Sequence, residues 1–187
     1  MVVIGSRIAI NIFMKNYSYQ NSLKIIWKGA VSRYIEGCRD VECYFDETTL
    51  TELASIGLSV MDVYDYAEDF VNQGEPDFET FLMVCEVRRD YFLTVQDRVP
   101  SANTIDSKTL PPKTYEAAGI AWLPRIIPKA IAKLRGELPP ETMYGCGGDR
   151  NFFKENDIHP AEFLRAAWAY EDETSKLIDW VVARKSS

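Results

Sequence analysis

The segment Met143-Tyr144-Gly145-Cys146-Gly147-Gly148-Asp149-Arg150 holds the residue types best suited to chemistry in this chain. Three glycines flank one cysteine, and glycine adopts positive φ and bares its backbone N–H at little cost. The segment runs into a helix start, where unpaired N–H groups favour an anion or a thiolate. Cys146 is therefore a candidate nucleophile or redox-sensitive thiol, with Arg125 or Arg150 to hold an anion. Lys129, Tyr144 and Asp149 join the candidate ligand contacts. His159 is the only histidine, so it is the only imidazole base on offer. A plainer assignment fits the same residues. Cys146 is then a small buried apolar group, the glycines form a tight turn, Asp149 caps a helix and His159 precedes Pro160 at another helix start.

Two charged patterns lie elsewhere. Arg125, Lys129 and Lys133 recur every four residues, with Arg135 close by and no acid from 119 to 135. This stripe suits a phosphate-bearing ligand, or the acidic part of the same chain. Asp62, Asp65, Glu68 and Asp69 share one helix face. Paired carboxylates can hold a metal or share a proton, but a solvated face fits as well and no further ligand motif accompanies them. No metal site is expected. Cys38, Cys43, Cys85 and Cys146 lack the paired spacing of a zinc or redox motif. Four unpaired thiols fit a reducing cytoplasm.

These residues need helices to position them. Apolar side chains recur at three- and four-residue spacing through most of the chain, which predicts an all-α helical bundle of eight or nine helices. Leu23 to Ile35 reads as a helix capped by Asn21 or Ser22 and ended by Gly37. Asp46 opens a second, stopped by Gly57. Ser59 and Asp62 form a capping box for a third, ended by Gly74. Pro76 is expected at the first position of a fourth, which carries Phe81, Cys85, Arg88 and Tyr91. Pro124 opens a fifth, in which Pro128 costs little within the first turn and kinks the helix otherwise. Asp149 and His159 cap two more, and Leu177 to Val182 lie on the last.

Residues 99–118 break the periodicity with three prolines and read as a linker or exposed loop. The division is then 1–20 as a poorly ordered extension, 21–98 as one helical block and 119–187 as another. Met14 is an alternative start, and Val2 to Ile12 an alternative short strand. The blocks form either two related sub-domains or one continuous bundle. Gly57-Leu58-Ser59-Val60-Met61-Asp62-Val63 aligns faintly with Asp157-Ile158-His159-Pro160-Ala161-Glu162-Phe163, although many helix starts share that pattern. Tyr34, Tyr44, Phe45, Tyr64, Tyr66, Tyr91 and Phe92 crowd the first block, either as core or as the lining of an apolar cavity.

Charge narrows the partners. The chain of 187 residues carries a net charge of -7, which divides into +4 over 1–37, -11 over 38–118 and zero beyond. The acidic middle excludes a general nucleic-acid binder, which needs a basic field. No apolar run approaches the ~20 residues of a membrane span. Phosphate-loop, dinucleotide-binding, nucleophile-elbow and zinc-protease motifs are all absent.

One resemblance emerges in the second block. Trp122-Leu123-Pro124-Arg125-Ile126-Ile127, then Lys129-Ala130 and Ala132-Lys133-Leu134, then Tyr144, Cys146, Asp149, Phe152 and Ile158, resembles the uncharacterised bacterial family catalogued as domain of unknown function 5069. The similarity covers about a third of the chain. It implies a small helical fold and a bacterial source, and brings no activity with it. Pro128 replaces a usually acidic residue, and Gly147-Gly148 loosens the loop before Asp149. The expectation is a soluble cytoplasmic binding or interaction module without cofactor. Its partner is a small anionic ligand or a protein, met in the groove between 125–135 and 144–150. The alternative is an enzyme or redox protein that uses Cys146.

Overall fold

Four of the eight α-helices among the described residues start on a local cap, a side chain that accepts one of the first free N–H groups. Asp46 accepts from Thr49 N–H at 2.8 Å and opens α2 (Glu47–Ser55). Ser59 and Asp62 form the expected capping box at α3 (Val60–Gln73), and Gly74 closes that helix at φ 77°. His159 Nδ1 accepts from Ala161 N–H at 3.1 Å and opens α7 (Pro160–Ala169). The remaining helices are α1 (Tyr19–Ile35), α4 (Phe78–Thr94), α5 (Leu123–Arg135), α6 (Gly147–Glu155) and α8 (Thr174–Lys185). The computed structural model describes residues 14–185, and among them the protein is all-α apart from one two-residue hairpin. The extension before Met14 and the alternative strand from Val2 to Ile12 lie outside the described residues.

Three starts differ from expectation, and Pro128 proves to lie inside its helix. The first helix begins ahead of Asn21 and Ser22, behind Ser18, whose side chain makes no cap bond. Pro76 precedes the fourth helix, and Asp77 caps it through Thr80 N–H. Cys146, not Asp149, occupies the cap position of the sixth; Asp149 is the third residue inside it. Pro128 falls past the first turn of the fifth, where its missing N–H removes one helical bond. Of these starts, only the first and the sixth carry no side-chain cap bond.

The faintly aligned segments adopt the same turn. Leu58 N–H bonds Leu53 C=O at 3.0 Å and Gly57 N–H bonds Ala54 C=O at 3.0 Å. A hundred positions on, Ile158 N–H bonds Phe153 C=O at 2.9 Å and Asp157 N–H bonds Lys154 C=O at 3.3 Å. Both are Schellman endings whose flanking apolar residues, Leu53 with Leu58 and Phe153 with Ile158, are buried, and Gly57 (φ 76°) and Asp157 (φ 51°) take the left-handed position.

Buried side chains of both blocks form one continuous core. Helix α4 lies between them, with α1 on one side and α5 and α7 on the other, while α3 packs on α1. The seven crowded aromatics are all buried, and six of them pack ring to ring, Tyr44 against Tyr64 at 5.0 Å for one, while Phe92 faces the Arg88 guanidinium at 5.3 Å, so most of them fill core.

Residues 99–118 run along the surface but are tied down. Ile105 N–H bonds Glu137 C=O, Ser101 and Ser107 bond Glu137 and Glu141, and Leu110 is buried. The segment ends in the hairpin β1 (Glu116–Ala117) and β2 (Ile120–Ala121), turned by Ala118 and Gly119, both at positive φ. No helix among the described residues is long and apolar enough to cross a membrane.

Candidate functional site

Helix α5 and the start of α6 form two walls of a cleft of about 320 Å³. Arg125 and Lys129 reach it from α5, Cys146 and Gly148 from the start of α6, Trp122 from the cap of α5 and Lys113 from the surface segment. Glycine at 148 is dictated by close approach: a Cβ there would lie 2.4 Å from the Trp122 ring. Lys113 Nζ and the Arg125 guanidinium sit 5.8 and 6.0 Å from that ring. Arg125 Nη1 also donates to Pro111 C=O at 2.9 Å, which fixes the cation in place. Glu141 is the one acid lining the cleft, and it accepts the Ser107 hydroxyl.

The base of the cleft rests on Asp149, which has no exposed surface. Its carboxylate accepts from Lys129 Nζ at 2.5 Å, Trp122 Nε1 at 2.9 Å and Gly145 N–H at 2.9 Å. Three donors, one of them charged, satisfy the buried acid. Lys129 is itself buried, and its ammonium lies 3.5 Å from Cys146 Sγ. A half-buried thiol at a helix start therefore faces the cleft beside a cation.

Other expected site residues go elsewhere. Tyr144 is buried behind the cleft; its hydroxyl donates to Pro160 C=O, and burial holds its phenol well above the ordinary value, so it stays neutral. Arg150 is not available as an anion holder. It donates to Asp69 at 2.5 Å, to Gly145 C=O at 2.7 Å and to Gln73 at 2.7 Å, and so joins the two blocks. His159 is not the base for Cys146. It lines a separate cleft of about 550 Å³ with Pro76, Asp77 and Lys154, and its Nδ1 is engaged by the cap bond. Burial, then Arg165, pushes its imidazole below the ordinary value.

The acidic run is not a solvated face. Asp62 pairs with Lys133, Asp69 with Arg150, and Glu68 accepts the Tyr34 hydroxyl. Of the basic stripe, only Lys133 reaches the acidic block. Arg135 pairs with Glu171 inside its own block. The Asp65 carboxyl has no hydrogen-bond partner among the described residues and is pushed up to about 7: burial and the charges of Asp62, Glu68 and Asp69 outweigh Lys133. Among the described residues no group could hold a metal ion. Cys38, Cys85 and Cys146 are free thiols.

Sequence reasoning missed Lys113, which carries no local signal, and Arg88. The signal for Arg88 is a charged residue on the apolar face of α4 between Cys85 and Tyr91. No protein-family model, curated protein or solved structure matches the chain.

Proposed function

We propose that the protein is a soluble cytoplasmic binding module that takes a small anionic ligand in the cleft over Trp122. The observation that carries this reading is the convergence of Lys113 and Arg125 on one cleft floored by an indole, with Lys129 held against Asp149 in its wall. Cations gathered in a concave, partly apolar site concentrate an anion and hold it by charge-assisted bonds. The buried Asp149 keeps Lys129 and Trp122 in register, so the site is formed before a ligand arrives. The residues that resemble the uncharacterised bacterial family include Trp122, Arg125, Lys129, Cys146 and Asp149, which build this wall.

Titration calorimetry of the full chain with mononucleotides and with di- and tricarboxylates tests the reading. Saturable binding is expected from one class, weakened at least about tenfold in a Lys113→Ala, Arg125→Ala double variant. Absence of binding from every class at low salt overturns it.

A second reading makes Cys146 a reactive thiol, on the single observation that Lys129 Nζ lies 3.5 Å from its Sγ. The absence of any contact with His159 among the described residues weighs against a cysteine–histidine pair. A Cys146→Ala variant that folds and keeps ligand binding supports the module, whereas loss of a turnover measured on the parent supports the thiol.

A further inference from the structure

A second cleft, of about 210 Å³, lies where the α2–α3 turn meets α4 and the end of α5. It shares no lining residue with the cleft over Trp122. We propose that it is an oxyanion site in which Arg88 and Lys133 hold a carboxylate or phosphate group.

Arg88 is a buried cation, only 3% exposed, without an ion-pair partner among the described residues. Nη1 donates to Gln96 Oε1 at 2.7 Å, and the guanidinium lies 5.3 Å from the Phe92 ring. Among the described residues Nε and Nη2 have no hydrogen-bond partner, although a guanidinium carries five N–H donors in a fork that matches two oxygens. A buried charge is normally paired, and a cation that fills space alone is readily replaced by Met or Leu.

The nearby acids are engaged elsewhere. One oxygen of Asp62 takes Lys133; the other accepts the Ser59 N–H at 2.7 Å and the Ser59 hydroxyl at 2.9 Å. Glu137 takes the Ser101 hydroxyl at 2.6 Å. Two cations and one carboxylate therefore line the cleft, which leaves it one positive charge in excess. The volume exceeds several waters of ~30 Å³ each, enough for a small oxyanion. The guanidinium supplies the bidentate fork, and Lys133, paired with Asp62 on the same lining, supplies the second cation.

Calorimetry on the full chain, with inorganic phosphate and with succinate as probes and sodium chloride at matched ionic strength as control, tests the proposal. Saturable binding of one probe is expected, and which one binds tells phosphate from carboxylate. Ala54 is exposed at the mouth of the cleft, so Ala54→Glu places a carboxylate there without entering the core. It should weaken binding about tenfold, while Ala54→Lys should not weaken it. Arg88→Gln should abolish binding where it folds; the Ala54 pair decides the matter where it does not. No saturable binding of either probe overturns the proposal, as does binding that Ala54→Glu leaves unchanged. Binding lost in Arg125→Ala but kept in Ala54→Glu belongs to the Trp122 cleft, and also overturns it.

Discussion

The α2–α3 and α6–α7 turns share a backbone but differ in what holds them. In the first, Asp46 caps α2, glycine takes the left-handed position and Ser59 with Asp62 caps α3, all within a few residues. In the second, Cys146 occupies the place of Asp46 and makes no cap bond, and aspartate occupies the place of the glycine. The start of α6 is held instead by Asp149, which bonds Gly145 N–H and is fixed by Lys129 and Trp122 from α5. The helix that enters the same turn can thus start on a local cap or on a long-range buried charge pair. Only the second arrangement leaves a side chain at the cap position free to face a cleft.

The largest expected effect breaks the long-range support. Lys129→Met strands a buried carboxylate and should cost about 3–5 kcal/mol in chemical denaturation. The change at the matching cap, Asp46→Ala, should cost only about 1 kcal/mol. Equal losses would erase the contrast between the turns. Next, Gly57→Ala should cost about 2–4 kcal/mol, because its Cβ would meet the Phe92 ring at 2.5 Å in addition to the left-handed strain. A melting temperature unchanged from the parent would show that Phe92 yields freely.

Asp65 gives the acidic face of α3 a pH signature, where α7 carries Arg165 at the aligned position. Its folded carboxyl is raised to about 7, above the unfolded value of ~3.9, so the folded state holds the proton more tightly. Its contribution is then most favourable at low pH and is lost as pH rises from ~4 through about 7. Asp65→Asn should be more stable than the parent at pH 8 by about 1–2 kcal/mol, and the gap should close toward pH 4. A gap of the same size at both pH values would sink the assignment. The smallest effect sharpens the comparison: Asp157→Gly should stabilise by up to about 1 kcal/mol, because it relieves a left-handed aspartate. A loss in thermal melts would mean that the Asp157 side chain supports the turn.

Much of the fold was legible in the sequence, and the reason is locality. Ser59 with Asp62, Asp46, Gly74 and His159 act on backbone within four residues, so their roles can be read in place. The cap of α4 was misplaced because Pro76 outweighed its neighbour Asp77, although both are helix-start residues. The cap of α6 was misplaced because Asp149 reads locally as a cap, whereas its bonds run to Lys129 and Trp122, twenty and twenty-seven positions away. The hairpin rests on two pairs of residues, too few for alternation to show. Of the candidate site residues, Arg125, Lys129 and Cys146 meet at one cleft, while Tyr144 and Asp149 stand behind it. Arg150 and His159 are drawn away by Asp69 and by the α7 cap.

The sequence by itself determined the helices, because periodic apolar spacing and short-range caps are set by the chain within one or two turns. It also determined that the first block is acidic and the α5 face basic. Only the tertiary structure decided which charges meet. Tertiary packing brings Asp62 to Lys133 and Asp69 to Arg150, 71 and 81 residues apart, and leaves Arg88 buried without an ion pair among the described residues. Side-chain charges select partners by distance and burial, and neither is a property of spacing along the chain.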